Sequence, residues 1–229
     1  QAHQIAQQRE AWSRRPFDLA NGPLLRVATF RTAPEQHEVL LVIHHIIGDR
    51  WSLRVLPEEL ARYYENPEAP PEALPIQYGD YAHWQRQQTQ NQSHLDYWRR
   101  QLAGELPVLQ LPADRPRPAN PSFRGGMMSQ TFDPQLSQQI RQISQQQQTT
   151  LYAVLLTAFK VLLQRYTGQH DILVGTPFTN RDKVVLEKLI GFFNETLVLR
   201  SDLSDDPSFD QLLQRVKKTT ADAFAHQQM

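Results

Sequence analysis

Cysteine is absent from all 229 residues, which excludes disulfide scaffolds, thiolate metal sites and thiol nucleophiles together and fits a reducing, cytoplasmic setting. Surplus charge is absent as well. Lys and Arg number 24 and Asp and Glu number 24, for a net charge of +0, whereas binding to a phosphate backbone usually draws on a basic excess. Nucleic acid is therefore not an expected partner. Long apolar runs are missing too: Val39 to Ile43 and Leu151 to Leu156 fall far short of the ~18 residues of a membrane helix, so no membrane is expected. No methionine opens the chain, and Gln1-Ala2-His3-Gln4 carries no charged-then-apolar signal pattern, so the sequence reads as the start of an excised piece.

What is present suits one large or two ordinary domains. Glutamine occurs 28 times, much of it in the runs 85–92 and 138–148, where interspersed apolar residues point to solvated helix faces. Residues 2–15 have a helical pattern that ends at Pro16. Strands are expected over Leu24 to Arg31 and Glu38 to His44, joined as an antiparallel hairpin, with the second apolar on both faces and so inside a sheet. A helix follows from Trp51 to Tyr64 with Ser52 as its N-cap and Pro57 as a complication, and two helical pieces cover 78–102. Four prolines between Leu111 and Pro121 mark an extended boundary. Beyond it the pattern predicts a strand over Gly126 to Phe132, a helix opened by Asp133-Pro134, and a deeply packed helix from Thr150 to Tyr166 stopped by Gly168. A strand over Asp171 to Pro177, a helical stretch at Leu186 to Ile190, a strand over Glu195 to Arg200 and a closing helix capped around Asp206-Pro207-Ser208 complete an α/β chain with mixed sheets.

The sharpest constellation is His44-His45-Ile46-Ile47-Gly48-Asp49-Arg50-Trp51-Ser52. Successive strand residues point to opposite faces, so one histidine should face packing and the other a cavity. A neutral imidazole suits general-base work near pH 7, and Asp49 is placed to fix the loop or to accept from an imidazole. Two core histidines with satisfied nitrogens are the alternative. A metal site is the further competitor, but the remaining histidines are scattered and no H-E-x-x-H pair exists. Neither a Gly-x-Ser-x-Gly elbow nor a Gly-rich phosphate loop appears.

His44 to Ser52 resembles the HHxxxDG motif of the condensation domains of nonribosomal peptide synthetases. Further matches follow in that family's order. Phe17-Asp18-Leu19 with Gly22-Pro23-Leu24-Leu25-Arg26 is similar to the segment before the motif, and Tyr78 to Gln85 to the YxDYAxWQ box. Tyr97-Trp98 and Leu111 to Pro118 resemble the inter-lobe stretch, Gly175 to Arg181 the GxPxxxR segment, and Ile190 to Arg200 the IGxFVNTLxxR box. The resemblance covers nearly the whole chain.

It implies an α/β fold like chloramphenicol acetyltransferase, each lobe incomplete. Residues 1–111 would be the second part of the N-terminal lobe, 112–122 the Pro-rich linker and 123–229 the first part of the C-terminal lobe. The implied reaction is amide formation between a donor acyl or peptidyl thioester and the α-amine of an aminoacyl acceptor, each on a carrier protein. The partners are therefore donor and acceptor peptidyl carrier proteins and an adjacent adenylation domain. The chain itself would bind no cofactor and no metal, the 4'-phosphopantetheine arms arriving with the carriers. His45 is the implied base or amine-positioning group, His44 a structural motif member, and Asp49 with Arg181 a structural salt bridge. Two departures stand out. Arg50 replaces the motif's final glycine and is expected to gate the tunnel by which, in the resemblance, the two phosphopantetheine arms arrive, or to contact substrate, and Asn194-Glu195 replaces the usual Val-Asn pair. The alternatives are an epimerization domain and a degenerate, non-catalytic domain that docks carrier proteins or tailoring enzymes.

Overall fold

The computed structural model describes residues 2–88, 91–116, 118–122 and 125–228. Thr89 and Gln90 of the glutamine-rich run, Arg117 of the 112–122 stretch, and Phe123, Arg124 and Met229 of the 123–229 segment lie outside the described residues, as does Gln1. In order, the elements are helix α1 (Ala2–Arg14), strands β1 (Leu25–Ala33) and β2 (Gln36–Ile43), and helices α2 (Ser52–Glu65), α3 (Tyr78–Gln88), α4 (Gln92–Gln101), α5 (Pro134–Gln146) and α6 (Leu151–Thr167). Strand β3 (Asp171–Thr179), strand β4 (Asn194–Asp202) and helix α7 (Phe209–Ala225) follow. No helix among the described residues is long and apolar enough to cross a membrane.

The chain forms two compact units, residues 1–87 with 178–195, and residues 88–177 with 196–229. In the first, β1 and β2 pair antiparallel, Leu25 opposite Ile43 and Phe30 opposite Glu38, with an irregularity between Arg31 and Ala33. The expectation that β2 lies inside a sheet is corrected, because β1 is its sole partner among the described residues. Apolar residues on this sheet stay exposed, Val27 at 51% and Val39 at 50%. The apolar centre of the unit is instead built from Tyr81, Leu186, Leu189 and Phe193, with Tyr78 and Trp84 packed against it.

The second unit is organised by helix ends that the sequence specifies locally. The Asp133 side chain accepts from the Leu136 amide, with Pro134 in the first turn of α5. Thr150 caps α6 and Gly168 ends it at φ 70°, a left-handed conformation open to glycine at no steric cost. Ser208 and Gln211 form a reciprocal capping box on α7. Ala153, Val154 and Leu213 then join α6 to α7, with Ile140 and Ile143 of α5 against them. Helix α6 is less deeply packed than its apolar stripe predicts: Val154, Leu156 and Leu163 are buried, while Leu155, Phe159 and Leu162 are not.

Strands β3 and β4 form the other two-stranded sheet, antiparallel by the bonds Asn180 N to Phe193 O and Leu203 N to His170 O at its two ends. Two further expectations are corrected. Residues 126–132 form no strand; Met127 and Met128 are fully exposed, and no described segment pairs with them. The 186–190 stretch is not an α-helix but a single 3-10 turn over Val184–Leu186. Its backbone bonds are of the i to i+3 kind, Leu189 N donating to Leu186 O at 3.2 Å, and Arg181 Nη1 donates to Leu186 O and Leu189 O besides.

Candidate functional site

Regular pairing stops at Ile43, apart from a bond from His44 N to Leu24 O at 2.9 Å, and the chain turns into a 3-10 turn over His45–Ile47. The two histidines thus leave the strand before its alternation separates them, and a different device divides their roles. His44 is half-buried beside Phe17, with ring centroids 5.7 Å apart, and its Nδ1 accepts from the Ile46 amide at 3.1 Å. Its proton therefore sits on Nε2, and the ring caps the turn. His45 is exposed, packs edge-on to Phe192 at 5.1 Å, and places Nδ1 2.9 Å from Gly48 O. A carbonyl only accepts, so Nδ1 carries a hydrogen, and in the neutral ring Nε2 presents a lone pair. The two neighbours hold opposite tautomers.

Asp49 is buried directly after this turn. Its Oδ1 accepts from the Ser52 amide and the Ser52 hydroxyl, each at 2.8 Å, and its Oδ2 from the Phe193 amide at 3.2 Å. Arg181 Nη2 completes the set at 3.2 Å from Oδ1, with both side chains sealed from solvent at 0 and 1% exposure. Burial by itself pushes the carboxyl up, but the Ser52 amide and hydroxyl and the Arg181 cation outweigh it and hold Asp49 below the ordinary carboxylate value. Burial pushes Arg181 down from its usual value, opposed by Asp49. The guanidinium lies 3.8 Å over the Phe193 ring, and its Nε is left without a hydrogen-bond partner.

Ser52 is a residue that sequence reasoning placed but misread. The expected N-cap is not its role: α2 starts after Trp51 with no side-chain cap from that residue, and Asp49 receives the Ser52 amide instead. The Ser52 hydroxyl meets Gly191 O at 2.9 Å and Gly191 N at 3.1 Å, while Asp49 N donates to Gly191 O at 3.2 Å. An Asp three residues before the Ser, at the start of an apolar-periodic run, is the sequence signal for this capping carboxylate. Trp51 adds a bond from its indole to Glu187 O at 2.7 Å.

The structure thus brings Asp49 and Arg181 into contact and ties His45 to the same loop through Gly48. Arg50 is exposed, and among the described residues it makes no hydrogen bond or ion pair with His45 or Asp49. No group of three or more His, Asp or Glu side chains among the described residues is arranged to hold a metal ion. Exposed Ile46 and Phe192 flank His45 with apolar surface. An imidazole whose neutral form keeps Nε2 open, beside exposed apolar surface, is suited to accepting a proton or orienting one on an incoming group.

Comparison with known proteins places the chain in a family. The family model for the condensation domain matches residues 1–229. A linear gramicidin synthase polypeptide of Brevibacillus parabrevis is 48% identical over 222 residues, covering 94% of this chain and 4% of the synthase. Surfactin synthase subunit 1 of Bacillus subtilis (strain 168) is 42% identical over 215 residues, covering 93% and 6%. Among solved structures, the X-domain in its complex with OxyB from teicoplanin biosynthesis superposes with a TM-score of 0.92 at 27% identity, over 99% of this chain and 52% of that one. A four-domain nonribosomal peptide synthetase bound to AMP and glycine shares the fold with a TM-score of 0.88 at 24% identity, over 100% of this chain and 18% of that one. The chain belongs to the condensation-domain family, and its α/β fold is the one expected from sequence. It spans a small fraction of the synthases and about half of the X-domain chain.

Proposed function

We propose that this chain contributes the histidine site of a domain that forms amide bonds in nonribosomal peptide synthesis. In that reaction the α-amine of a carrier-bound aminoacyl thioester attacks the carbonyl of a carrier-bound acyl or peptidyl thioester. The C–N bond forms, the C–S bond breaks, the amine gives up a proton, and the donor's phosphopantetheine thiol leaves with one. An α-ammonium with a pKa of ~8 is largely protonated at pH 7, so an acceptor for its proton raises the reactive fraction. The observation that carries this reading is the 2.9 Å contact of His45 Nδ1 with Gly48 O, which leaves Nε2 as the acceptor of the neutral ring. His44 and the buried Asp49–Arg181 pair hold the loop, and orientation of the amine contributes to the rate beside proton transfer. Arg50, a cation where the family motif has glycine, borders the path of one arm and contacts what arrives along it. In this reading residues 1–111 and 123–229 are parts of an N-terminal and a C-terminal lobe joined by 112–122. The donor and acceptor carriers and an adenylation domain are the working partners.

The test is single-turnover amide formation from carrier-loaded substrates by the full-length protein. His45→Ala should lower the rate by about 10² to 10⁴ with the fold intact by circular dichroism, and an unchanged rate would overturn the proposal. Arg50→Gly should alter rate or acceptor selectivity; no change in either removes the gating role. The likeness to an X-domain solved together with OxyB supports a second reading, a docking domain without chemistry. Carrier or tailoring-enzyme binding with no amide product in the wild type would favour it, and a product inverted at its α-carbon would indicate epimerization instead.

A further inference from the structure

Asn180 and Arg181 are consecutive, and each is held by a different carboxylate. Arg181 reaches Asp49, while Asn180 Nδ2 donates to Glu195 Oε1 at 3.2 Å and to the Tyr81 hydroxyl oxygen at 3.2 Å. The same Glu195 oxygen accepts from Gln85 Nε2 of α3 at 2.7 Å. Between the two carboxylates lies the backbone of Phe193, whose C=O accepts from Asn180 N at 2.9 Å and whose N–H donates to Asp49 Oδ2 at 3.2 Å. Asn180 and Tyr81 are almost fully buried, at 4% and 3% exposure. Among the described residues no ion pair forms at Glu195: burial pushes its carboxyl up, and the Asn180 and Gln85 amides pull it back. A half-buried carboxylate without a countercharge costs stability unless its acceptor geometry is used. Here one oxygen collects two amides, one from α3 and one from the segment after β3.

We propose that Glu195 is a positioning residue for the site: it fixes Asn180 against α3 and so sets the Asn180–Arg181 segment, the Arg181–Asp49 pair and the loop that carries His45. The activity readout of this inference rests on the amide-forming reading above, whereas its stability readout does not. The experiment compares Glu195→Ala, Glu195→Gln, Asp49→Asn and the double variant Glu195→Ala/Asp49→Asn in the full-length protein. Glu195→Ala should lower turnover about tenfold with little change in KM for the acceptor, the signature of a displaced rather than missing reacting group. Glu195→Gln keeps the acceptor oxygen without the charge and should restore turnover to within about twofold. In thermal melts the double variant should lose clearly less Tm than the two single losses summed, because both act on one segment. Additive Tm losses, or Glu195→Gln no better than Glu195→Ala, would overturn the inference. An active wild type with additive losses removes only this inference. An inactive wild type with non-additive losses removes the amide-forming reading and leaves the coupling in place.

Discussion

At pH 7 the Asp49 carboxylate carries its charge without solvent contact, and it does so because four donors replace the lost water. Removing one partner of such a pair leaves the other charge buried, which typically costs about 3–5 kcal/mol. Asp49→Ala should therefore lower the urea midpoint strongly, the Arg181 guanidinium remaining unmatched. Because the folded carboxyl titrates below its ordinary value, the contribution is complete above about pH 4 and is lost as pH falls through the lower, folded value. The midpoints of wild type and Asp49→Ala should accordingly converge in acid. An Asp49→Ala protein as stable as the wild type yet inactive would assign Asp49 to the chemistry instead. The pairing spans 132 positions of sequence, which no periodicity can bridge, and it was the likeness of Gly175 to Arg181 to a family segment that suggested the partner.

Among the elements, the 3-10 turns and short connections around Gly191 leave least room. A Cβ on Gly191 would overlap the Tyr78 ring at Cδ2, and that ring cannot step aside, since its hydroxyl donates to Phe192 O at 2.7 Å and its edge packs on Phe193. Gly191→Ala is expected to cost about 1–3 kcal/mol, measured by chemical denaturation. Tyr78→Ala in the same chain should abolish that added cost; an equal cost in both backgrounds would show that the ring is not the obstacle. Helix termini were legible because their signals are local: Asp133-Pro134, Thr150, Gly168 and Ser208 each act within a turn of where they stand. The 186–190 stretch was not, because its apolar spacing looks helical while the side chain that binds its carbonyls, Arg181, lies outside it. Likewise 126–132 has strand composition, yet a strand exists only where a second segment supplies the other half of the ladder.

For the molecule as a whole, neutral net charge conceals one ionisable group with a large effect on stability. Lys160 is fully buried in α6, donating to Leu199 O and Ser201 Oγ at 2.7 Å each. Burial pushes its ammonium down from 10.5 to about 8, with Asp171 opposing. A depressed lysine favours folding as it deprotonates, so stability should rise between about pH 8 and the ordinary value of 10.5, and the penalty is full below about pH 8. The span corresponds to ~3 kcal/mol. Lys160→Met should remove that pH dependence, read as the difference between the two unfolding curves at each pH, and a constant difference from pH 7 to 10 would refute the assignment. The fold class and family order were readable because the motifs run through the whole chain, whereas Lys160, between Phe159 and Val161 of α6, gave no sign in sequence of where its ammonium would lie.

The bond between His45 and Gly48 makes loop shape and the ring's tautomer a single variable. Any excursion that carries the Gly48 carbonyl away frees the imidazole to move its hydrogen to the other nitrogen, which turns an acceptor into a donor at the exposed edge. Opening the loop would therefore change the polarity of the site together with its outline.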